Sequence, residues 1–325
     1  MKVALIPSDN GFGHIRRMTL LSNYISNKFQ VTIFVNKKKS VFNLSKKIKI
    51  EKIISLFNLK NKSYKLLNKN DIKKKIKSKN FNYIIIDNFP DLLSLSKKVI
   101  LFSNFFWHRD LHSKDLKFKQ IENRLVKRKI KIFGNYLFQK KYFSKFNNTK
   151  IPFFGNYKKN LNKKNILISI GTARYSEVEN IKKIIIFNLE KRNFKKIKIF
   201  LDPVLYDDKF RKYNVVKADY SKNMYNKTKF AIIKPGLGTV EECLMRGIPI
   251  LTYCKNTFPE FKYNARVINK FKLGYDLKSI GESIVFILKK FDDKNFLKSH
   301  ERRCANLKWC GEKKVEKYLK SQFNF

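Results

Sequence analysis

The sequence has few cysteines, few acidic residues and no long apolar run. Its four cysteines include no C-x-x-C pair and have no histidine at metal-binding spacing, which argues against a structural zinc site and favours reduced core thiols in a cytosolic protein. No apolar run approaches the roughly 18 residues that a membrane-spanning helix needs, so we expect any membrane association to be peripheral. The chain opens directly into a strand-like segment, and we predict no signal peptide.

Basic residues greatly outnumber acidic ones. There are 73 Lys and Arg against 25 Asp and Glu, giving a formal net charge of +48. Such a charge is typical of proteins with a polyanionic partner, either nucleic acid or an anionic membrane surface. The lysines are spread over the whole chain, however, and Lys, Asn, Ile and Phe are all abundant, as A+T-rich codon usage would produce. We therefore interpret the charge mainly as compositional and do not favour nucleic acid as a partner.

Alternating apolar and amphipathic segments predict an α/β fold with two domains. Apolar runs typical of buried parallel strands lie at 2–6, 31–35, 83–87, 99–102, 165–170, 197–201, 214–217, 230–233 and 248–253. At 325 residues the chain is long enough for two domains that each bury a core. A segment at 151–156 contains Pro and Gly and precedes a polar Lys/Asn run, which predicts the interdomain link. The expected domains are 1–152 and 153–325.

The stretch from 230 to 265 carries the strongest functional signal. An apolar strand is followed by a turn containing Gly236 and Gly238, a helix over 240–246 and a second strand, which form one βαβ unit. Glycine lets the backbone approach a ligand closely. The free N–H groups and positive dipole end of the helix favour an anion, most simply a diphosphate.

Glu241 and Glu242 are expected in the first turn of that helix. They either stabilise the helix dipole there, or one of them faces the ligand and accepts two hydrogen bonds from a ribose diol. A glycine-rich turn alone is weak evidence for either interpretation, because many helices start in this way.

The segment PGLGTVEECLMRGIPIL, followed by PEFKYNARVI and LGYDL, resembles the nucleotide-sugar site of GT-B glycosyltransferases of the family 28 type, which includes the peptidoglycan N-acetylglucosaminyl transferase and the galactolipid synthases. The chain matches that pattern at Gly236, Thr239, Glu242, Gly247, Pro249, Glu260, Asn264 and Ala265. The resemblance implies that Gly238 and Thr239 lie against the donor diphosphate, that Glu242 binds the ribose and that Glu260 lies near the donor sugar. Related transferases often carry Gln at the Glu260 position.

A second glycine-bearing turn, Gly11-Phe12-Gly13-His14-Ile15-Arg16, follows the first strand. The dinucleotide fingerprint G-x-G-x-x-G is incomplete, so we predict no nicotinamide site. An imidazole acts as a base at neutral pH, which makes His14 the candidate catalytic base and Asp9 the second candidate. Arg17 is either a solvated helix charge or a contact to an anionic substrate, and we favour the solvated helix face. The turn resembles the first loop of GT-B enzymes and of UDP-sugar hydrolases from nonulosonic acid synthesis, where this His takes a proton from an acceptor hydroxyl or from water.

Further candidates follow other predicted strands. Asp87 ends the 83–87 strand, where side chains of such sheets face the ligand crevice. Asn104 and Trp107 belong to an aromatic stretch that forms either part of the core or an acceptor-side wall, with Gly13 on the same side. In the resembled enzymes, the loop equivalent to Gly171, Thr172 and Arg174 touches the donor phosphates, and the segment equivalent to 220–225 holds the nucleobase. Arg174 either pairs with the diphosphate or is exposed. The basic and aromatic segment 114–148 fits a solvated helical face, a helix on anionic lipid or a single-strand nucleic-acid surface.

Together these features predict an α/β, GT-B-like fold of two Rossmann-like domains whose parallel sheets face a central cleft. The resemblance implies an acceptor-side domain at 1–152, a nucleotide-sugar-binding domain at 153–325, and a last helix, at 313–323, that packs back on the first domain. The implied activity is inverting, metal-independent glycosyl transfer from a nucleoside-diphosphate sugar, with UDP favoured, to a glycan or lipid-linked acceptor.

We expect no cofactor, since no D-x-D pair lies in a suitable loop. The expected location is cytoplasmic, with peripheral contact to the inner face of the membrane as an option. Two alternatives stay open: a UDP-sugar hydrolase that uses water as acceptor, and a non-catalytic polyanion-binding protein.

Overall fold

The computed structural model divides the chain into two compact units. It describes residues 1–8, 12–36, 44–53, 57–58, 65–66, 69–88, 90–106, 109, 116–159, 163–170, 175–191, 197–254 and 259–322. The first unit comprises Met1–Gly155 together with Lys308–Phe325, and the second comprises Asn156–Leu307. Each unit has its own sheet of parallel strands.

The first unit is built on a seven-stranded sheet in the order β3-β2-β1-β6-β7-β8-β9, in which all neighbouring strands are parallel. Its strands are β1 (Lys2–Ile6), β2 (Gln30–Asn36), β3 (Lys49–Ile53), β6 (Tyr83–Asp87), β7 (Val99–Phe102), β8 (Lys131–Asn135) and β9 (Asn148–Ile151). A short antiparallel pair is formed by β4 (Phe57–Asn58) and β5 (Lys65–Leu66). The helices are α1 (Phe12–Ile25), α2 (Lys69–Lys79), α3 (Leu116–Lys127) and α10 (Gly311–Ser321), with 3-10 turns at Pro90–Ser94 and Lys141–Lys145.

Hydrophobic burial explains the centre of this unit. The inner strands β1 and β6 are buried on both faces, as continuous apolar runs in parallel sheets are. In α1, Ile15, Met18 and Leu21 recur at helical spacing and are all buried. They share one hydrophobic cluster with Val315 and Leu319 of α10, so the last helix of the chain belongs to the first unit.

The second unit contains a six-stranded parallel sheet in the order β12-β11-β10-β13-β14-β15. Its strands are β10 (Asn165–Ser169), β11 (Ile199–Leu201), β12 (Val215–Lys217), β13 (Thr228–Ile233), β14 (Ile250–Thr252) and β15 (Gly274–Asp276). Its helices are α4 (Tyr175–Lys191), α5 (Lys222–Lys227), α6 (Leu237–Met245), α7 (Pro259–Lys270), α8 (Ile280–Lys290) and α9 (Lys294–Ala305), with a 3-10 turn at Asp208–Tyr213. The predicted βαβ unit is confirmed as β13-α6-β14.

The segment 114–148 is where the sequence-based prediction was wrong. Basic residues suggested a helical surface, and α3 does occupy its first part, but β8 and the start of β9 lie in the same segment. Strand β8 carries Lys131 at its start and a short apolar centre, Ile132 and Phe133, that pairs with β7 inside the sheet. Tertiary pairing here overrides a weak local pattern.

Among the described residues, no helix is both long enough and apolar enough to cross a lipid bilayer.

Candidate active site

His14 lies against a buried carboxylate at the carboxyl edge of the first sheet. The side chain of Asp87, at the end of β6, is fully buried, and its Oδ2 lies 3.2 Å from His14 Nδ1. Because β1 and β6 are parallel neighbours, the start of α1 after β1 comes to the end of β6. A proton on Nδ1 would be donated to Asp87, which leaves Nε2 as the proton acceptor. The structure thus pairs two of the predicted site residues.

Arg17 completes this cluster. Its Nη2 donates to Asp87 Oδ1 at 2.6 Å, and its Nε donates to Asp87 Oδ2 at 3.2 Å. Arg17 Nη2 also lies 3.2 Å from His14 Nδ1. The solvated face predicted for Arg17 is therefore wrong, because a residue three positions after His14 lies on the same helix face and reaches the same carboxylate.

Electrostatics keep Asp87 ionised. Burial alone would raise the pKa of Asp87, but the charges of Arg17 and His14 and the hydrogen bonds from both hold it below its usual value of 3.8. A charged carboxylate at this position can orient a neighbouring imidazole and stabilise its protonated form.

Asn104 has a different setting, within a buried polar network. Its side chain is buried, and its Oδ1 accepts a hydrogen bond of 2.6 Å from the backbone N–H of Asn135 at the end of β8. Phe106 is also buried and packs against Tyr142 and Phe143. The described part of this aromatic stretch thus has the contacts of a core cluster, the first of its two predicted interpretations.

In the second unit, the glycine turn leads directly into α6. Gly236 is the N-cap residue, with extended backbone angles (φ −70°, ψ 133°), and the helix begins at Leu237, three residues earlier than predicted. Gly238 and Thr239 therefore lie in the first turn, and Glu241 and Glu242 lie in the second. The helix-dipole interpretation of the two acids was wrong, since the dipole effect falls off within the first turn.

Helix α7 packs against the glycine turn. Asn264 Nδ2 donates to the carbonyl oxygen of Pro235 at 2.9 Å, and a Cβ built on Gly236 would lie 3.7 Å from the ring of Phe261. That spacing is ordinary van der Waals contact, and the φ of Gly236 suits any residue. Glu260, in the first turn of α7, is buried. No neighbour in the described residues therefore requires glycine at position 236.

Lys234 lies at the carboxyl edge of the second sheet, directly after β13, and was not among the predicted site residues. Its backbone N–H donates to the carbonyl of Ser169 at the end of β10. Burial lowers the pKa of Lys234, and the nearby charges of Glu260 and Asp202 partly oppose that effect. Its Nζ lies 4.5 Å from the centroid of the Phe261 ring. A lysine directly after the apolar run 230–233 and before a Pro-Gly turn is the signal that could have identified it.

A chain of hydrogen bonds joins Tyr220, Asp202 and Ser169 at the carboxyl edge of the second sheet. The hydroxyl of Tyr220 donates to Asp202 Oδ2 at 3.0 Å and lies 2.9 Å from Ser169 Oγ. Tyr220 adopts a positive φ of 54°, which L-residues rarely do. Burial raises the pKa of the Tyr220 phenol, so it stays protonated. This network fixes the start of the segment 220–225, which the resemblance relates to nucleobase binding.

Glu242 is almost completely buried. Its side chain is 2% exposed, and its Oε2 accepts a hydrogen bond of 2.6 Å from Arg246 Nη1 one helical turn later. The predicted ribose ligand is therefore part of a buried ion pair in this structure.

Five predicted site residues lie outside the described residues: Asp9, Trp107, Gly171, Thr172 and Arg174. Gly13 is described, in the first turn of α1 next to His14. Within the described part of the chain, no group of three or more His, Cys, Asp or Glu side chains is arranged to hold a metal ion.

No protein-family model matches the chain, and no curated protein sequence matches it. Solved structures, by contrast, match its whole length. Phytolacca americana UGT2, solved with UDP-2-fluoro-glucose and pterostilbene, is 13% identical with a TM-score of 0.65, covering 100% of both chains. The Streptomyces sp. SF2575 glycosyltransferase SsfS6, solved with thymidine diphosphate, is 10% identical with a TM-score of 0.63, covering 99% of both chains.

The spinosyn forosaminyltransferase SpnP is 10% identical to the chain with a TM-score of 0.65, covering 98% of this chain and 99% of that one. Each of the three structures matches this chain over both of its units, although the sequences are only 10–13% identical. The α/β, GT-B-like fold class predicted from the sequence is thereby confirmed, and the chain has the fold of these glycosyltransferases.

Proposed function

We propose that the protein is an inverting glycosyltransferase that moves a sugar from a nucleoside-diphosphate donor to a glycan or lipid-linked acceptor. The observation that carries this proposal is the contact between His14 and the buried, ionised Asp87. Deprotonation of an acceptor hydroxyl requires a base that is held in one orientation. The fold shared with glycosyltransferases supports the same activity.

The donor is proposed to bind at the glycine turn of the second unit. Gly236 has no positive φ, and among the described residues no neighbour requires glycine there, so the absent side chain leaves the backbone open to close approach of a ligand. The first N–H groups of α6 and the Lys234 ammonium supply positive charge for the diphosphate. Glu242 would bind the ribose and Glu260 the donor sugar, while Asn264 holds the turn in place.

In the proposed step one proton is transferred, one bond to the anomeric carbon forms and one bond to that carbon breaks. The acceptor hydroxyl gives its proton to His14 Nε2 while its oxygen attacks the anomeric carbon. The bond between that carbon and the diphosphate oxygen breaks on the opposite face, and its electron pair leaves with the diphosphate. The N–H groups of α6 stabilise the charge that develops there. Asp87 stabilises the imidazolium, and Arg17 holds Asp87 in place.

The same residues would support hydrolysis if water took the place of the acceptor. The test is therefore a nucleotide-binding panel followed by turnover. UDP, GDP, dTDP and CMP are compared by thermal shift and calorimetry at high ionic strength, with Glu242→Gln as the site variant and the exposed Glu190→Gln as the matched control. We expect one nucleoside diphosphate to stabilise the wild type and the control clearly more than it stabilises the Glu242 variant. Equal small shifts with all four nucleotides would overturn the donor site.

Turnover then tests the base. With nucleotide sugars of the diphosphate that binds, His14→Gln should lose about 10²- to 10⁴-fold in nucleotide release and retain nucleotide affinity. Wild-type turnover in that variant would refute the role of His14. Full-rate release without any added acceptor would identify a hydrolase.

Contact with an anionic membrane, which would bring the protein to a lipid-linked acceptor, is proposed separately from the chemistry. The +48 charge is attracted to anionic lipid whatever its evolutionary origin. Binding to anionic vesicles should weaken steeply with added salt, whereas nucleotide-sugar binding should weaken only modestly.

A further inference from the structure

Arg246 has the largest fully buried side chain among the described residues, at 1% exposure. It is the C-cap residue of α6, the helix that carries Glu242. Burying a guanidinium is costly unless its charge and donors are matched, so its partners show what the residue is placed to do.

The contacts of Arg246 join two helices of the proposed donor site, α6 and α5. Its Nη1 donates to Glu242 Oε2 at 2.6 Å and to the Glu242 carbonyl oxygen at 3.2 Å. Its Nε donates to Asn226 Oδ1 at 2.8 Å, and its guanidinium lies 5.6 Å from the ring centroid of Tyr225. Asn226 and Tyr225 belong to α5, which begins directly after the segment held by Tyr220. One side chain thus connects Glu242 to the segment expected at the nucleobase.

The charge and the geometry of Arg246 restrict how the Glu242 carboxylate is oriented. Glu242 is itself 2% exposed, so removing Arg246 would take a positive charge and a hydrogen-bond donor away from a buried carboxylate. The guanidinium is planar and presents donors in a fixed fork, which restricts the orientation of the carboxylate that it holds. An ionised carboxylate accepts hydrogen bonds only, and a ribose diol offers two hydroxyl donors.

We propose that Arg246 is a positioning residue that orients Glu242 toward the ribose hydroxyls, so that the donor is a ribonucleoside-diphosphate sugar rather than a deoxyribonucleoside-diphosphate sugar. This inference rests on the proposed function, because it assumes that the donor binds at the glycine turn. It distinguishes between the nucleotides found in two structures of the same fold, UDP-2-fluoro-glucose in one and thymidine diphosphate in the other. The structure assigns this chain to the first kind.

The readout is discrimination between ribose and deoxyribose, which a merely structural role would not change. Calorimetry on the full chain compares UDP with 2′-deoxy-UDP, or GDP with 2′-deoxy-GDP if the guanine nucleotide is the one that binds. The wild type should bind the ribonucleotide roughly ten- to a hundredfold more tightly, as expected for hydrogen bonds to a charged group. In Arg246→Met that ratio should fall toward one, as it should in Glu242→Gln, while affinity for inorganic diphosphate should be unchanged.

Two further variants make the result decisive. Arg246→Lys keeps the charge but not the fork, so it covers the case in which Arg246→Met does not fold, and its ratio should also fall. Arg266→Met, at an exposed position on α7, is the matched control and should keep the wild-type ratio. A wild-type ratio in folded Arg246→Met or Arg246→Lys would overturn the inference while leaving the donor site intact. Failure of the wild type to bind any nucleoside diphosphate would overturn the donor site and this inference with it.

Discussion

The second unit contains a buried titratable pair that should set the pH range of its stability. His300 on α9 is 1% exposed, and its Nε2 lies 3.3 Å from Cys304 Sγ one helical turn later. Burial, reinforced by the charges of Arg303 and Lys163, lowers the pKa of His300 from 6.5 to about 3. Burial raises the pKa of the Cys304 thiol from 9.0 to about 12. Both groups are therefore neutral in the folded protein over a wide range of pH.

The sign of the effect follows from proton binding. Between pH 6.5 and about pH 3 the unfolded chain binds one proton at His300 that the folded chain does not, so the free energy of unfolding decreases as the pH falls. The slope is about 1.4 kcal/mol per pH unit. Above pH 9.0 the unfolded chain loses the Cys304 proton while the folded chain keeps it up to about pH 12, so stability is also lost as the pH rises. The contribution of this pair to the free energy of unfolding is therefore fully present between pH 6.5 and pH 9.0.

Urea denaturation of wild type and His300→Gln at about pH 7.5 and about pH 5 measures the acidic side. The wild type should lose on the order of 2 kcal/mol more than the variant between these two values, because the variant has no imidazole to protonate. In Cys304→Ala the free energy of unfolding should still decrease as the pH falls below 6.5. Its decrease above pH 9.0, measured by the same denaturation, should be reduced because the thiol is absent. An unchanged acidic slope in folded His300→Gln would refute the assignment of His300 as a buried neutral group.

Three other substitutions test the first sheet and the two candidate edges. Asp87→Asn should lower turnover by about 10²- to 10⁴-fold with nucleotide affinity retained, because His14 loses the charge that orients it; unchanged turnover would exclude the pair from catalysis. Gly134→Ala should destabilise the protein by about 1–3 kcal/mol, since a Cβ there would overlap the Gln139 side chain; urea denaturation measures the loss, and a neutral result would show that Gln139 moves freely. Tyr220→Phe should cost about 1–3 kcal/mol by the same assay, because buried Asp202 loses a donor; no loss would mean that this hydroxyl contributes nothing to stability.

Local pattern was sufficient where one strong physical term dominates. Continuous apolar runs identified β1, β6, β7, β10 and β13, because strands buried on both faces of a parallel sheet have apolar centres. A Pro-Gly turn between such a strand and an amphipathic segment located the start of α6 to within three residues. Pattern failed for β8, where lysine at the strand end concealed a short apolar centre.

The chemistry of the candidate site depended on sequence separation. The sequence by itself determined that His14 follows a strand and that Glu242 follows a glycine turn, since both features lie within one local motif. Only the tertiary structure decided that Asp87, 70 residues after Arg17, reaches the same cluster, and that Arg246 spans from Glu242 to Asn226. The physical reason is that strand order brings distant strand ends to one edge, and the cost of a buried charge then selects which side chains pair there.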